Sequence, residues 1–291
     1  MRTMAQPRTW RLGRARARLL AKSLTYGLLV AGGILIMIPF FWMLSTSLKK
    51  QWDVYLFPPV WIPDPPQWQN YPQALSVYPF HVYLFNTLRI SVLTVLGTTI
   101  SSSLAAYGFA RLRAPGKDVI FVILLGTMML PYAVTMVPIF MLFNRLGWVN
   151  TFKPLIVPAF FGNVFYIFLL RQFFLTIPPE LEQAARIDGC SSFMIYRRII
   201  LPLSVPALAT VAIFEFMNAW NDFLGPLIYL SDEPKRTVAL ALAYFQGSAR
   251  IGPQMHLMMA VAFVVLIPEL LLFFFAQRLF IQGIVFTGVK G

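Results

Sequence analysis

Residues 177–206 read IPPELEQAARIDGCSSFMIYRRIILPLSVP, the longest charged, helix-competent stretch in a chain that is otherwise mostly apolar. Pro178 and Pro179 suit a helix start, because proline at the first helical position gives up only an amide that would be unpaired anyway. Glu180 and Glu182 fall in the first turn, where acids complement the helix dipole. Leu181, Ala184, Ala185 and Asp188 recur at three-and-four spacing, which predicts a mostly small, apolar face. Asp188-Gly189 predicts the helix end, since glycine accepts the left-handed conformation required beyond the cap. Ser191 or Ser192 can cap a second short helix, running through Phe193, Tyr196, Arg197 and Ile200 until Leu201-Pro202 stops it. The expected product is a two-helix elbow.

What flanks the elbow is membrane. The 291 residues are 58% hydrophobic and 12% charged, about half the charge of a soluble domain. Apolar runs predict six spans, near Ser23–Leu48, Ile90–Ala110, Val119–Asn144, Pro154–Leu170, Leu203–Leu230 and Met255–Ala276. The first run is too long for a signal-peptide core and is read as an uncleaved span. It follows a basic segment, 1–22, with seven Lys/Arg and no acid; this segment can also lie as a basic helix on an anionic leaflet. A Pro/Trp-rich loop with Pro58, Pro59, Trp61, Pro63, Pro65, Pro66 and Trp68 suits an interface rather than a span. The expected fold is an all-α membrane bundle.

Lysine and arginine bias orients it. With the N-terminus inside, the inner segments hold 7 + 3 + 4 + 2 = 16 Lys/Arg and the outer side 8 of the 24. The elbow and both termini are then cytoplasmic. Net charge is +13, but it sits between apolar spans, which makes it a topology signal and not a nucleic-acid footprint.

The elbow resembles the signature loop of ABC-importer permeases: an E-A-A start, a glycine shortly after, and an I-x-L-P end. Here these are Gln183-Ala184-Ala185, Gly189 and Ile199 to Pro202; the usual first-position acid is replaced by Gln183, with Glu182 just before it. Trp220-Asn221-Asp222-Phe223-Leu224, Pro226-Leu227-Ile228 and the ending Gln282 to Gly291 resemble the carbohydrate-uptake, maltose-transporter branch. The resemblance implies a translocation subunit over 23–291, with a coupling loop at 177–206. It also implies an outer loop at 231–252 that meets an extracytoplasmic solute-binding protein, and a tail at 279–291 that meets the ATPase. Its expected partners are a homologous permease, two ATP-binding subunits carrying ATP and Mg, the binding protein, a sugar and the lipid bilayer of a bacterial or archaeal inner membrane. Glu182, Gln183, Ala184, Ala185, Arg186, Asp188, Gly189 and Arg197 are the expected ATPase-coupling residues, with Ala184, Ala185 and Gly189 as the small face that lets a partner approach.

No G-x-x-x-x-G-K-[ST] occurs; the nearest string, Ala114-Pro115-Gly116-Lys117-Asp118, reads as a turn, so ATP phosphates are expected on another chain. With His81, His256 and Cys190 as the whole His/Cys inventory, no metal cluster or Cys–His nucleophile is expected, which argues against an enzyme. Ionisable groups inside spans are costly and therefore candidates for function. Asn218, Asn221 and Asp222 fall on one predicted helical face beside Trp220, a set suited to stacking on a sugar ring and bonding its hydroxyls. Asn163 in the fourth span is a further path candidate. Glu269, after Pro268, reads as a packing feature, and Glu215 is open. The competing reading is an ion-coupled secondary transporter using Asp222 and Glu269 as proton sites.

Overall fold

A computed structural model describes residues 9–245 and 254–288, with side chains described for 18–245 and 254–277. Residues 1–8 of the basic segment, 246–252 of the expected outer loop and 289–291 of the expected tail lie outside the described residues.

Among the described residues the structure is helical throughout. In chain order it runs α1 Thr9–Ser47, α2 Asn70–Val77, α3 Phe80–Arg111, α4 Lys117–Thr127, α5 Tyr132–Arg145 and α6 Lys153–Ile156. There follow α7 Val164–Thr176, α8 Pro179–Ile187, α9 Ser192–Ile195, α10 Leu201–Leu203, α11 Val205–Trp220, α12 Leu224–Tyr229, α13 Val238–Tyr244 and α14 Met255–Gly288. Four helices are long and apolar enough to cross a membrane, or up to six if each of two bent pairs is one span.

The bent pairs correct the sequence expectation. The run expected as one span over 119–144 is broken between α4 and α5 by a 99° bend. Pro131 explains it, because the residue before a proline is pushed out of helical geometry. The expected fifth span, 203–230, ends at Trp220, and α12 is a separate piece after the Asn221–Phe223 break. Leu201-Pro202 does not stop the elbow's second helix: a π turn at Tyr196–Ile200 carries it to Leu203, and a 78° bend follows at Ser204. The Leu201 amide bonds the Tyr196 carbonyl, five residues back; this wider turn accommodates a ring that would strike the carbonyl four residues before it. The expected tail from 279 is helical to Gly288, as a continuation of α14. The basic segment continues α1 without a break from Thr9, instead of forming a separate helix along a leaflet.

α3 is the axis, packing against α7, α11 and the α6 region. Its buried face is small and polar, with Ser91, Thr94, Thr98, Ser102 and Ser103, the side-chain size that lets helices approach closely in lipid. At Gly97 an added Cβ would stand 2.8 Å from the Phe160 ring. Large side chains form a core at each end. At one end Leu170, Phe174, Ile195, Ile200 and Val211 bury the elbow. At the other, Phe80, Tyr83, Val238, Phe245 and Leu257 join α3, α13 and α14. The most apolar window of α1 is unburied along its whole length, a surface suited to lipid or another helix.

Candidate coupling elbow and translocation cleft

The elbow folds by local rules. Asp188 caps α8, and Gly189 takes φ +81°. The Cys190 amide then bonds the Ala185 carbonyl at 2.9 Å and the Gly189 amide bonds that of Arg186 at 3.1 Å. This crossed pair is the glycine-dependent reversal expected from Asp188-Gly189. Ser191, not Ser192, caps the second helix, its Oγ accepting from the Met194 amide at 3.3 Å.

Which face of α8 is buried differs from expectation. Glu182 and Ala185 turn inward, whereas Leu181 and Ala184 are exposed. Ala185 therefore packs in this chain's own core and is no part of a free small face. Glu182 likewise turns inward, to the floor of the groove: its Oε1 lies 3.1 Å from Arg111 Nε, with both side chains under 10% exposed. Arg111 also donates to the carbonyls of Phe174 and Ile177, and Tyr107 bonds the Ser192 carbonyl at 3.1 Å. The end of α3 thus contacts the end of α7 and both halves of the elbow. Arg111 and Tyr107 were not expected site residues; nothing local in the sequence pairs α3 with α8.

The outer face of the elbow carries Gln183, Ala184, Arg186, Asp188, Gly189 and Arg197, all exposed. It also carries Leu181, Ile187 and Phe193, with Ile187 86% and Phe193 64% exposed. Such an apolar knob with polar neighbours is the anatomy of an interface. Gln183 and Arg186 border a groove shared with Arg111 and Arg113.

About 20 Å along α3 from Arg111, at 1.5 Å per residue, Thr98 and Thr94 line a cleft of about 460 Å³. Asn163, Glu215, Asn218 and Asp222 line it too. Asn163 caps α7, its Oδ1 accepting from the Phe165 amide at 3.0 Å, and its own amide bonds Ser102 Oγ. Asp222 sits in the break before α12, Oδ1 accepting from the Gly225 amide at 3.0 Å. Glu215 is 7% exposed and lies within hydrogen-bonding reach of the Tyr166 and Thr98 hydroxyls.

Two expected path residues stand elsewhere. Trp220 is buried, stacked on Phe216, and is not among the lining residues. Asn221 donates to Glu269 Oε1 at 2.5 Å and to the Met217 carbonyl, joining α11 to α14. The shared face of Asn218, Asn221 and Asp222 does not form, because the helix stops at Trp220.

The comparisons with known proteins decide the family. Residues 97–285 match the model of the binding-protein-dependent transport system inner membrane component family. This chain belongs to that family. A probable ABC transporter permease of Bacillus subtilis (strain 168) is 34% identical over 263 residues, 89% of this chain and 85% of that protein. The trehalose/maltose transport system permease MalG of Thermococcus litoralis is 33% identical, covering 91% and 96%. Among solved structures, a bacterial ABC transporter involved in import of the acidic polysaccharide alginate matches with TM-score 0.79 at 22% identity, over 96% of this chain and 100% of that one. The last likeness is one of fold. The chain is an integral membrane permease, and its elbow and cleft both include parts of the matched region.

Proposed function

We propose that this permease is one of two translocation subunits of an ATP-driven, binding-protein-dependent sugar importer. The observation that carries this reading is the two-faced elbow. One face is fastened to the core through Arg111 and Glu182, while the other presents Leu181, Ile187, Phe193 and Gln183 outward. A handle that is rigid inside and apolar outside fits a partner that moves it. The partner is a separate ATP-binding subunit, two per complex, which supplies the phosphate-cradling loop and Mg that this sequence lacks. The family name supplies the binding protein, and permeases named for trehalose/maltose, arabinooligosaccharides, diacetylchitobiose, sulfoquinovosyl glycerol and polygalacturonan/rhamnogalacturonan support a sugar cargo without fixing its charge.

In this reading the bundle has six spans, with α4 and α5 together as the third and α11, beyond the bend at Ser204, as the fifth, and both termini and the elbow cytoplasmic. Movement of the elbow is carried by α3 and α7 to the cleft, where Asn163, Asn218 and Asp222 meet the sugar's hydroxyls. Nucleotide shifts the inward-to-outward equilibrium only by the difference in its affinity for the two states. The 231–252 loop meets the binding protein and the tail from 279 meets the ATPase. The ion-coupled alternative would have to use a Glu269 that already accepts from Asn221.

Affinity purification of the chain from native membranes is expected to recover a P-loop ATPase, and sugar uptake in vesicles is expected to need ATP. Ile187→Asp should release the ATPase and lower ATP-driven uptake at least tenfold, the effect of one charge in an apolar contact. Uptake that follows the proton gradient with no ATPase present sinks the proposal.

A further inference from the structure

We propose that the wall this chain gives to the path is an electronegative filter, passing neutral sugars and opposing anionic ones such as uronates. The inference rests on the sugar-import reading and deepens it by naming the charge class of the cargo.

Two carboxylates face the cleft, and among the described residues that line it none is Lys, Arg or His. Asp222 is held by the amides of Gly225 and Leu224. These orient the carboxylate without cancelling its charge. Gly225 is part of this arrangement, because an added Cβ would stand 2.4 Å from Asp222 Oδ2. Glu215 enters from α11 between two hydroxyl donors. Two cations toward this end are engaged elsewhere: Lys235 bonds Asp232 and the Asn150 carbonyl at 2.8 Å each, and Arg89 lies over the Phe152 ring; Lys153, exposed beside the lining Pro154, is not itself a lining residue. By contrast the elbow groove, at the other end of α3, contains Arg111, Arg113 and Arg186 against the one acid Glu182.

A sugar hydroxyl can donate to a carboxylate, a charge-assisted bond stronger than a neutral one. Asn163, Asn218 and Thr94 add neutral donors and acceptors. A uronate carboxylate gains nothing comparable. It must lose water in a confined space with no lining cation to compensate and with the Asp222 carboxylate nearby, the repulsive half of selectivity. A fold shared with an alginate importer therefore does not imply a shared cargo.

The test reads the potential directly. Asn218, exposed on the cleft wall, is changed to Cys in the assembled transporter in membrane vesicles. The parent, with Cys190 alone, serves as blank. Rates of modification by a cationic and an anionic methanethiosulfonate are compared after normalisation to a free thiol in solution. The cationic reagent should react about tenfold faster. Adding Asp222→Asn should lower that ratio several-fold, and Glu215→Gln provides a second neutralisation should the first fail to assemble. A ratio at or below one overturns the proposal, as does a ratio that neither neutralisation changes. Because labelling needs no transported sugar, this outcome stands apart from that of the ATP-dependent uptake assay.

Discussion

Glu182 in the elbow and Asp222 in the cleft are both carboxylates beside a helix start, yet they are treated in opposite ways. Glu182 is buried and meets a guanidinium at 3.1 Å; Asp222 meets only backbone amides and faces an open cleft. A buried charge is tolerable when paired, and the pair then fixes two elements in one geometry. A charge left without a counter-ion keeps its capacity to bond a ligand. The chain thus pairs charge in the elbow, which the proposed function makes a lever, and leaves it without a counter-ion in the cleft, which that function makes the path.

The comparison breaks most severely at the elbow. Arg111→Met or Glu182→Leu leaves one buried charge alone, a loss of about 3–5 kcal/mol. Thermal unfolding of the purified complex should fall sharply for each single change. The double change to Met and Leu should recover much of the loss, since an apolar pair needs no counter-charge.

At the cleft, Gly225→Val places side-chain atoms against Asp222 and Leu155, whose Cδ2 would lie 2.9 Å from the added Cβ. Overpacking of this kind costs about 1–3 kcal/mol. Uptake should drop further than stability, because the displaced carboxylate belongs to the path; equal losses of both would separate Asp222 from transport.

Gly189→Asp is milder for the fold and sharper for coupling. No atom lies within 4 Å of the added Cβ, but φ is +81°, a conformation that costs an L-residue about 1–2 kcal/mol. The protein should remain in the membrane while ATP hydrolysis continues without uptake. Normal uptake by this variant in vesicles would detach Gly189 from the coupling face.

The smallest effect is expected at the far end. Lys235 at 2.8 Å and the Asn150 side chain hold the Asp232 carboxyl below its usual range. Its folded-state value is depressed, so its contribution is present at neutral pH and is lost as pH falls through that value, below about 4. The pair is exposed, which keeps the contribution slight. The difference in Tm between parent and Asp232→Asn should be small at pH 7, begin to shrink below about pH 4 and vanish only once the pH lies below the depressed folded-state value.

The sequence by itself determined what depends on neighbours along the chain. Hydropathy marks the helices that can cross a membrane, and Asp188-Gly189 marks the reversal in the elbow, because only glycine takes that φ freely. Tertiary structure decided the rest. Three-and-four spacing gives α8 a small face and a charged face alike; Arg111, from a distant helix, selected Glu182 and Ala185 for the inside and left Ile187 and Phe193 outside. Apolar composition is continuous through Pro131, so the 99° bend does not show as a change in hydropathy, and the π turn at Tyr196–Ile200 has no marker in the sequence beyond Pro202. Asn221 and Asp222 are adjacent in the chain yet serve a helix contact and a cleft, because α11 stops between Trp220 and Asn221 and the backbone turns there. Local preference sets where a helix can run, while which of its faces is buried depends on partners that only folding brings within reach.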